Sequence, residues 1–252
     1  EDFLDNWHSR GIFHLPHGGG RNMRLVQEAI ARGDYLREKG ACRDLDVFGV
    51  FAYRGTDQVC INSCNFRIDH LDPKTHSTAE MEARALIPVV AGFLRAHMPG
   101  FSAAIVADSA SVIGVRFTRW IDAGFDLTSD DTASGSQFSD VVGVSAAFDR
   151  HPRGGVIHPA CSVDLPYRIM LPRGVENLIV ASGKSVSTNP RGLVRGQVQC
   201  YLLGQAGGVA AAVAAHAGVA PRTVYIGDVQ RALLDQNVYL GESERLAALG
   251  FG

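Results

Sequence analysis

Residues 177–208 read NLIVASGKSVSTNPRGLVRGQVQCYLLGQAGG, and an alanine-rich run continues from there to Ala215. The apolar residues 178–180 predict a short buried strand, which ends at Ser182 and Gly183. Residues 185–196 are polar and contain glycines, a pattern that indicates a loop. From Gln197 the pattern is helical for about twenty residues. The segment therefore predicts a strand, a glycine-containing loop and a helix, in that order.

One face of the predicted helix has almost no side chains. It carries Gly204, Gly208, Ala212 and then Ala215 or His216, at steps of three and four residues. Each glycine costs a helix about 1 kcal/mol, so we expect a second backbone or a flat ligand to lie close to this face. A helix that starts behind a glycine-rich loop also offers N–H groups and a positive dipole end to a cofactor. Packing within an ordinary α/β core explains the same face, and both interpretations stay open.

The composition limits the classes of function. A chain of 252 residues can bury a large core in one or two domains. Its formal net charge of −2 gives no general attraction to nucleic acid or to anionic membranes. The long uncharged run at 202–220 is mostly alanine and glycine and contains His216, which does not favour a membrane span.

The cysteines and histidines do not form a recognisable metal or redox motif in the sequence. The five cysteines are scattered, which favours a reduced, cytoplasmic protein. Cys60 and Cys64 are four residues apart, which is not the spacing of a redox pair or of a zinc site. His8, His14 and His17 have no clustered carboxylates beside them, so no metal is predicted.

The rest of the pattern predicts a mixed α/β fold. We expect helices over residues 22–39, 77–97 and 226–240, and a helical turn from Thr128. The long helix is predicted to open on the capping box of residues 77–80. We expect strands at 46–53 and 58–62, paired as a hairpin, and further strands at 103–106, 112–120, 140–147, 155–158 and 164–172. The predicted strand at 112–120 carries Arg116 and Arg119, and we expect each cation to face solvent or to hold an acidic or electron-rich partner.

The order of these segments resembles the C-terminal two-thirds of the FAD-dependent oxidoreductase family. The resemblance runs from about residue 58 to about residue 240, and it is specific as an ordered set, although each motif alone is weak. The motifs are TAEMEAR at 78–84, PGF at 99–101, IGVRFTR at 113–119, the histidine-bearing strand at 156–158, PYR at 166–168, NLIVA at 177–181 and GQAGG at 204–208.

The sequence departs from that family in two places. It reads Val-Ala-Ser-Gly-Lys at 180–184 where the family commonly has Val-Ala-Gly-Arg, and the loop that leads to Gly192 looks shorter. The Gly-x-Gly-x-x-Gly turn that binds the FAD pyrophosphate is absent, and the three glycines at 18–20 follow no apolar strand. The resemblance therefore implies one of three things. A companion chain supplies this turn, a longer precursor has been cleaved, or the function has changed. Cleavage of a precursor would give a chain that starts without methionine, as this one does at Glu1.

The resemblance also implies the domain organisation. We expect residues 1–175 to form a substrate or cap region with a mixed or antiparallel sheet and the long helix. Residues 176–252 are expected to form the C-terminal strand and helix of a Rossmann-like FAD domain. The fold class is thus α/β, with α+β features and a flavoprotein-like arrangement.

The cofactor side of the implied site lies in residues 177–208. The resemblance implies that the first turn of the closing helix lies beside the pyrimidine edge of FAD, where its dipole stabilises the charge that builds up on reduction. Gly183, Lys184 and Ser185 are expected to border the cofactor at the strand end, and Arg195 is expected to meet the flavin or an acidic substrate. The residues assigned to the helix turn are Gly204, Gln205, Ala206, Gly207 and Gly208.

The substrate side is expected to contain Arg116, His158, Tyr167 and Arg168. His158 is suited to act as an acid or base near neutral pH. Packing roles explain the same residues, since Tyr167 and Arg168 can pack at the edge of a core and His158 can be a buried, hydrogen-bonded imidazole. Arg116 is a cation within an apolar segment, and for it too both a substrate contact and a structural role stay open.

Three classes of function follow. The first is an FAD-dependent oxidoreductase, as a subunit or processed chain, that transfers a hydride to or from a small organic substrate. The second is a flavin-free partner subunit that keeps the fold, and the third is an α/β nucleotide-binding protein of other chemistry. The presence or absence of flavin absorbance in the native complex separates the first class from the other two.

Overall fold

The computed structural model describes residues 24–40, 42–53, 55–66, 68–69, 71–116, 118–145 and 163–252. Within these ranges the protein has a mixed α/β fold of helices and small two-stranded sheets, as the sequence predicts. The chain divides into two compact units, Glu1–Gly114 and Val115–Gly252. The predicted strand at 155–158, which contains His158, lies outside the described residues, and the predicted boundary at 175 stays a prediction.

The first unit contains a short helix and a hairpin. Helix α1 spans Arg24–Arg32, and strands β1 and β2 span Cys42–Ala52 and Val59–Phe66. The two strands pair antiparallel, which confirms the predicted hairpin, and both are longer than predicted. The prediction of a helix as far as residue 39 is wrong, because Gly33 has a φ of 79°, a left-handed conformation that ends α1.

Helix α2, Pro73–His97, follows the hairpin. It begins before the predicted capping box at 77–80, because Asp72 caps it by accepting a hydrogen bond from the backbone N–H of Lys74 at 3.0 Å. Proline is suited to the first position of a helix, where its missing N–H costs nothing. The end at His97 is as predicted. The apolar side of α2 packs in the core of this unit, where Phe93 stacks on Tyr35 with ring centres 4.0 Å apart.

The second unit is built around helix α4, Gln197–Ala217. Its core includes the antiparallel strands β4, Val141–Ser145, and β5, Val163–Pro166. All four residues of β5 are buried, and the chain then turns into a 3-10 helix at Tyr167–Met170. The predicted edge strand at 164–172 is therefore wrong after Pro166. The other elements of this unit are β3 (Leu127–Thr128), α3 (Ser129–Ser134), β6 (Thr188–Asn189), a 3-10 helix at Pro221–Thr223, α5 (Ile226–Asp235) and α6 (Ser243–Ala248).

Strand β6 lies within the glycine-containing loop. Strands β3 and β6 pair in parallel over two residues each, which joins the segment before α3 to the loop. Helix α3 begins with a capping box between Thr128 and Asp131, which confirms the predicted helical turn.

Three predicted strands are absent from the described residues. They are residues 103–106, the described part of 112–120, and residues 178–180. Ile105, Val112 and Leu178 are 83%, 64% and 45% exposed, so each of these apolar runs has a residue on the surface. A strand needs a neighbouring strand for its backbone hydrogen bonds, and none of the described strands pairs with these segments.

Candidate functional site

The N-terminus of α4 follows directly on the glycine-containing loop. Gly196 is the N-cap and offers no side chain to the N–H groups of the first turn. A Cβ at this position would lie 2.2 Å from Oε1 of Gln199. The amide of Gln199 is buried and donates to Oγ of Ser145 at 2.8 Å, so it is held in place. Glycine at 196 therefore leaves the positive end of α4 without a side-chain cap.

Gly183 packs against the end of the same loop. A Cβ on Gly183 would lie 1.8 Å from the carbonyl oxygen of Val194, a backbone atom that cannot move without distorting the loop. Gly183 is buried, and its neighbour Lys184 is exposed, with Nζ donating to the carbonyl of Val115 at 3.1 Å. The Ser185 N–H donates to the carbonyl of Ser182 at 2.9 Å. The structure thus assigns Gly183 a packing contact, and contact of Gly183, Lys184 and Ser185 with a cofactor stays a prediction.

The start of the loop and the segment before it are hydrogen-bonded to the 3-10 helix. The N–H of Val180 donates to the carbonyl of Met170 at 2.8 Å, and the N–H of Ser187 donates to the carbonyl of Ile169 at 3.0 Å. Since Tyr167 and Arg168 belong to this 3-10 helix, the structure brings these two predicted residues to the glycine-containing loop.

Asp126 joins the loop to the preceding segment. Its Oδ1 accepts from Oγ of Ser187 at 2.6 Å and from Nη1 of Arg191 at 2.8 Å. The guanidinium carbon of Arg191 lies 5.5 Å from the ring centre of Trp120, a cation–π distance. Sequence reasoning missed this cluster, because nothing in the spacing of Trp120, Asp126 and Arg191 indicates that they meet.

The glycines of α4 are not in its first turn. Gly204 is seven residues beyond Gln197, which places it about 10 Å along the helix axis. The prediction that 204–208 form the bare N-terminal turn is therefore wrong, and the dipole argument applies to the turn at Gly196 instead. Contact of FAD with Gly204, Gln205, Ala206, Gly207 and Gly208 stays a prediction.

These residues divide between the two sides of the helix. Ala206 and Gly207 are buried, and a Cβ on Gly207 would lie 2.6 Å from Cβ of Ala181. Gly204 and Gly208 are exposed, and no described atom lies within 4 Å of a Cβ built on either. Gln205 is also exposed, and its amide donates to Oε1 of Gln236 at 3.0 Å.

Tyr167 is buried and its hydroxyl is hydrogen-bonded. It donates to the carbonyl of Pro221 at 3.0 Å. Burial raises the pKa of Tyr167 to about 12, and the positive charge of Arg222 opposes part of this effect. In this arrangement Tyr167 is a packed, neutral side chain.

Arg168 forms an ion pair with Asp140. Its Nε and Nη2 donate to the two carboxylate oxygens at 2.9 and 2.5 Å, and its backbone N–H donates to Oδ2 at 3.0 Å. These hydrogen bonds raise the pKa of Arg168. The guanidinium carbon also lies 5.1 Å and 5.6 Å from the ring centres of Phe125 and Phe138. The side chain is still 42% exposed, so one edge of the cation faces outward.

Three predicted residues remain, namely Arg116, Arg195 and His158. Arg116 is exposed and directly follows Val115, whose carbonyl accepts from Lys184. Arg195 is half-buried and directly precedes the N-cap of α4. His158 lies outside the described residues, and its role stays a prediction. In the part of the chain that the structure describes, no group of three or more histidine, cysteine or acidic side chains is arranged to hold a metal ion.

Comparison with known proteins gives the family. A family model described as FAD dependent oxidoreductase matches residues 21–233, which is more than half of the chain. The chain belongs to the FAD-dependent oxidoreductase family. This flavoprotein is an oxidoreductase, and its cofactor is FAD. Searches of curated proteins and of solved structures each found no match.

The described residues fit one part of FAD and not another. The uncapped end of α4, with Arg195 beside it, suits the electron-rich edge of the flavin ring. A pyrophosphate group is usually bound at a helix N-terminus behind a Gly-x-Gly-x-x-Gly turn, and the 252 residues contain no such turn. The residues present therefore fit the ring end of the cofactor.

Helix α4 is also long and apolar. Among the described residues it is the one helix long and apolar enough to cross a membrane, judged by length and composition. The core helix of a soluble protein can be equally long and apolar, and Leu203, Ala206 and Ala210 are buried in the core of the second unit. The helix is therefore weak evidence for a membrane protein.

Proposed function

We propose that this chain carries the ring-binding and substrate-binding part of a flavin oxidoreductase that transfers a hydride between FAD and a small organic substrate. The observation that carries the proposal is the uncapped N-terminus of α4, directly behind the glycine-containing loop. When bound, FAD supplies the group that accepts or donates the hydride.

The residues of the chain have separate roles in this proposal. The first-turn N–H groups of α4 and the charge of Arg195 stabilise negative charge at the pyrimidine edge. Gly183, Lys184 and Ser185 border the same edge, with Gly183 keeping the two ends of the loop in contact.

In this proposal the four residues predicted for the substrate side have different roles. Because Tyr167 is hydrogen-bonded to Pro221, it contributes shape and exclusion of water. Arg168 is positioned by Asp140 and offers one outer edge to a substrate. The exposed Arg116 is available to bind an acidic substrate group, and His158 is assigned the proton transfer.

The proposal includes a companion chain or segment that carries the Gly-x-Gly-x-x-Gly turn. Residues 178–181 are neither helix nor strand and do not pair with any described strand, and Leu178 is 45% exposed. On α4, Val198 and Tyr201 are 59% and 71% exposed. A βαβ segment would pair its strand with residues 178–181, cover the exposed side of α4 and bring the pyrophosphate site. We expect an interface of more than about 2,000 Å². We expect the enzyme to act in the cytoplasm, where cysteines stay reduced.

The first experiment is native mass spectrometry and absorbance spectroscopy on the protein from its own source. We expect a complex heavier than 27.0 kDa that contains this chain and shows flavin absorbance. A lone chain that holds one FAD and turns over substrate would overturn the proposal of a companion chain. A colourless complex that binds no added FAD would instead favour a flavin-free partner subunit.

A matched pair of variants tests the interface. Leu178→Lys is expected to weaken the complex, because it places a charge on the apolar segment that the companion strand covers. Leu36→Lys is the control, since Leu36 is a similarly exposed leucine of the first unit at 49% exposure. Equal yields of complex for both variants would show that residues 178–181 are not the contact.

A further inference from the structure

The hairpin of the first unit brings together two cysteines that the sequence does not pair. Cys42 is the first residue of β1 and faces Phe66 near the end of β2, two residues beyond Cys64. Cys64 and Phe66 are both half-buried and pack against the buried cluster that contains Cys42. Neither cysteine is part of a disulfide. In the sequence, Cys60 and Cys64 are the closely spaced pair, but both lie on β2.

The backbone is irregular where the two cysteines meet. The register of β1 and β2 shifts twice between Cys42 and Phe48. Cys64 has a φ of 67°, a left-handed conformation that is uncommon for a residue with a side chain. Such a conformation persists when the surrounding structure enforces it, and it is found more often at functional positions.

We propose that Cys42 and Cys64 form a redox-active pair, which a peroxide oxidant converts into an intramolecular disulfide. Two thiols that pack in one cluster of a hairpin with an irregular register need little movement to reach the sulfur–sulfur distance of a disulfide. Cys64 is half-buried and reachable from solvent, whereas Cys42 is fully buried. This difference makes Cys64 the sulfur that meets the oxidant and Cys42 the sulfur that closes the bond.

The surroundings of Cys64 favour its thiolate. The hydrogen bond with Cys42 lowers the pKa of Cys64 to about 7, with a smaller contribution from the hydroxyl of Ser63 at 3.5 Å, and burial opposes both. The thiolate is the reactive form of cysteine, and redox-sensing cysteines combine a low pKa, access to solvent and a second cysteine nearby.

The reaction balances with hydrogen peroxide as the oxidant. The Cys64 thiolate attacks one peroxide oxygen, the O–O bond breaks, and the released hydroxide takes a proton to leave as water, so that Cys64 becomes a sulfenic acid. Cys42 then loses its proton and attacks the Cys64 sulfur, which forms the S–S bond and releases a second water. Two thiols give two electrons and two protons to one peroxide, and a dithiol reductant reverses the reaction.

Peptide mapping of the wild-type chain tests the proposal directly. The chain is reduced with dithiothreitol, freed of reductant, treated with hydrogen peroxide and alkylated with N-ethylmaleimide. We expect a peptide that links Cys42 to Cys64, lighter by the two hydrogens lost, and its disappearance after renewed reduction. Full alkylation of both residues after peroxide, or a link from Cys64 to another cysteine or a second chain, would overturn the proposal.

Three variants separate the two roles. Cys64→Ser is expected to abolish the disulfide and to leave Cys42 as a free thiol. Cys42→Ser is expected to leave Cys64 as a sulfenic acid that dimedone traps, and circular dichroism checks that the variant is folded. Cys60→Ser is the control, because Cys60 is an exposed cysteine of the same strand, and this variant should form the Cys42–Cys64 bond as the wild type does. If Cys42→Ser does not fold, the wild-type peptide map alone decides.

Discussion

The two sides of helix α4 differ in what their small residues contact. On the buried side, Gly207 lies so close to Ala181 that a Cβ would be 2.6 Å from the alanine methyl. On the exposed side, no described atom is within 4 Å of a Cβ at Gly204 or Gly208. Because the three glycines are within five residues of each other, the sequence pattern groups them, and the structure separates them.

This difference shows which glycines the chain itself explains. The close contact at Gly207 accounts for the missing side chain there. Gly204 and Gly208 each cost the helix about 1 kcal/mol relative to alanine, and the described residues of this chain offer no contact in return. The exposed side of α4 is therefore where we expect FAD or the companion to lie.

The largest expected effect is a loss of stability from a cavity on the buried side. Leu203 is fully buried, so Leu203→Ala should lower the free energy of unfolding by about 2–5 kcal/mol. The control is Val198→Ala on the exposed side, where Val198 is 59% exposed and the change should stay within about 0.5 kcal/mol. Urea denaturation of the isolated chain measures both. Equal losses would mean that the two sides of α4 are not distinct.

A second pair of variants compares the glycines themselves. Gly207→Ala should lower the free energy of unfolding by about 1–3 kcal/mol, because the new methyl group overpacks the contact with Ala181. Gly204→Ala should raise it by about 0.5–1 kcal/mol, since alanine favours the helix and the space is open. Thermal and urea denaturation give the sign of each change. A stabilising Gly207→Ala would show that Ala181 does not pack on the helix.

Parts of the fold that depend on local pattern were predictable from the sequence. The hairpin, α4 and the helical turn at Thr128 are present, because turn residues, helical spacing and side-chain caps act over a few residues. The start of α2 was predicted wrongly, since both Asp72 and Ser77 are good caps and pattern alone does not choose between them. Residues 178–180 have the composition of a strand, but forming one requires a neighbour that the described chain does not offer.

The candidate site was predictable as a segment but not as a set of contacts. The sequence marks the loop before α4, and the family match confirms FAD as the cofactor. The ion pair of Arg168 with Asp140 joins residues far apart in the sequence, and so does the contact of Asp126 with Arg191. The meeting of Cys42 and Cys64 depends on irregular strand pairing that spacing does not reveal.

A third test asks whether the hydroxyl of Tyr167 stabilises the fold or contacts the substrate. Tyr167→Phe should lower the free energy of unfolding by about 0.5–1.5 kcal/mol, because the hydrogen bond to Pro221 is lost. Tyr201→Phe is the control, as Tyr201 is 71% exposed on the other side of α4 and should change little. Loss of turnover in the holoenzyme, with no loss of stability, would place Tyr167 on the substrate instead.

The raised pKa of Tyr167 predicts that the free energy of unfolding depends on pH. Burial raises the pKa of Tyr167 to about 12 in the folded protein, against an ordinary value of 10.0. The folded state therefore holds the proton more tightly, so this contribution to stability is complete below pH 10.0 and is lost as the pH rises through about 12. Tyr167→Phe should remove that part of the decline. Urea denaturation across this range, compared with wild type, measures it.

The smallest expected effect on stability, and the sharpest test of the exposed side, comes from Gly208. Gly208→Leu meets open space in the described chain and replaces a poor helix former, so the isolated chain should gain less than about 1 kcal/mol. In the native complex the leucine occupies the surface that we assign to FAD or the companion, and we expect FAD to be lost on purification. Gly208→Ala, with a much smaller side chain, is the control and should retain more flavin. Absorbance of the purified complex gives the flavin content, and denaturation of the isolated chain checks the fold. A Gly208→Leu complex that keeps its full complement of FAD and companion would show that this side of α4 faces solvent, and the two exposed glycines would then have no explanation in the site.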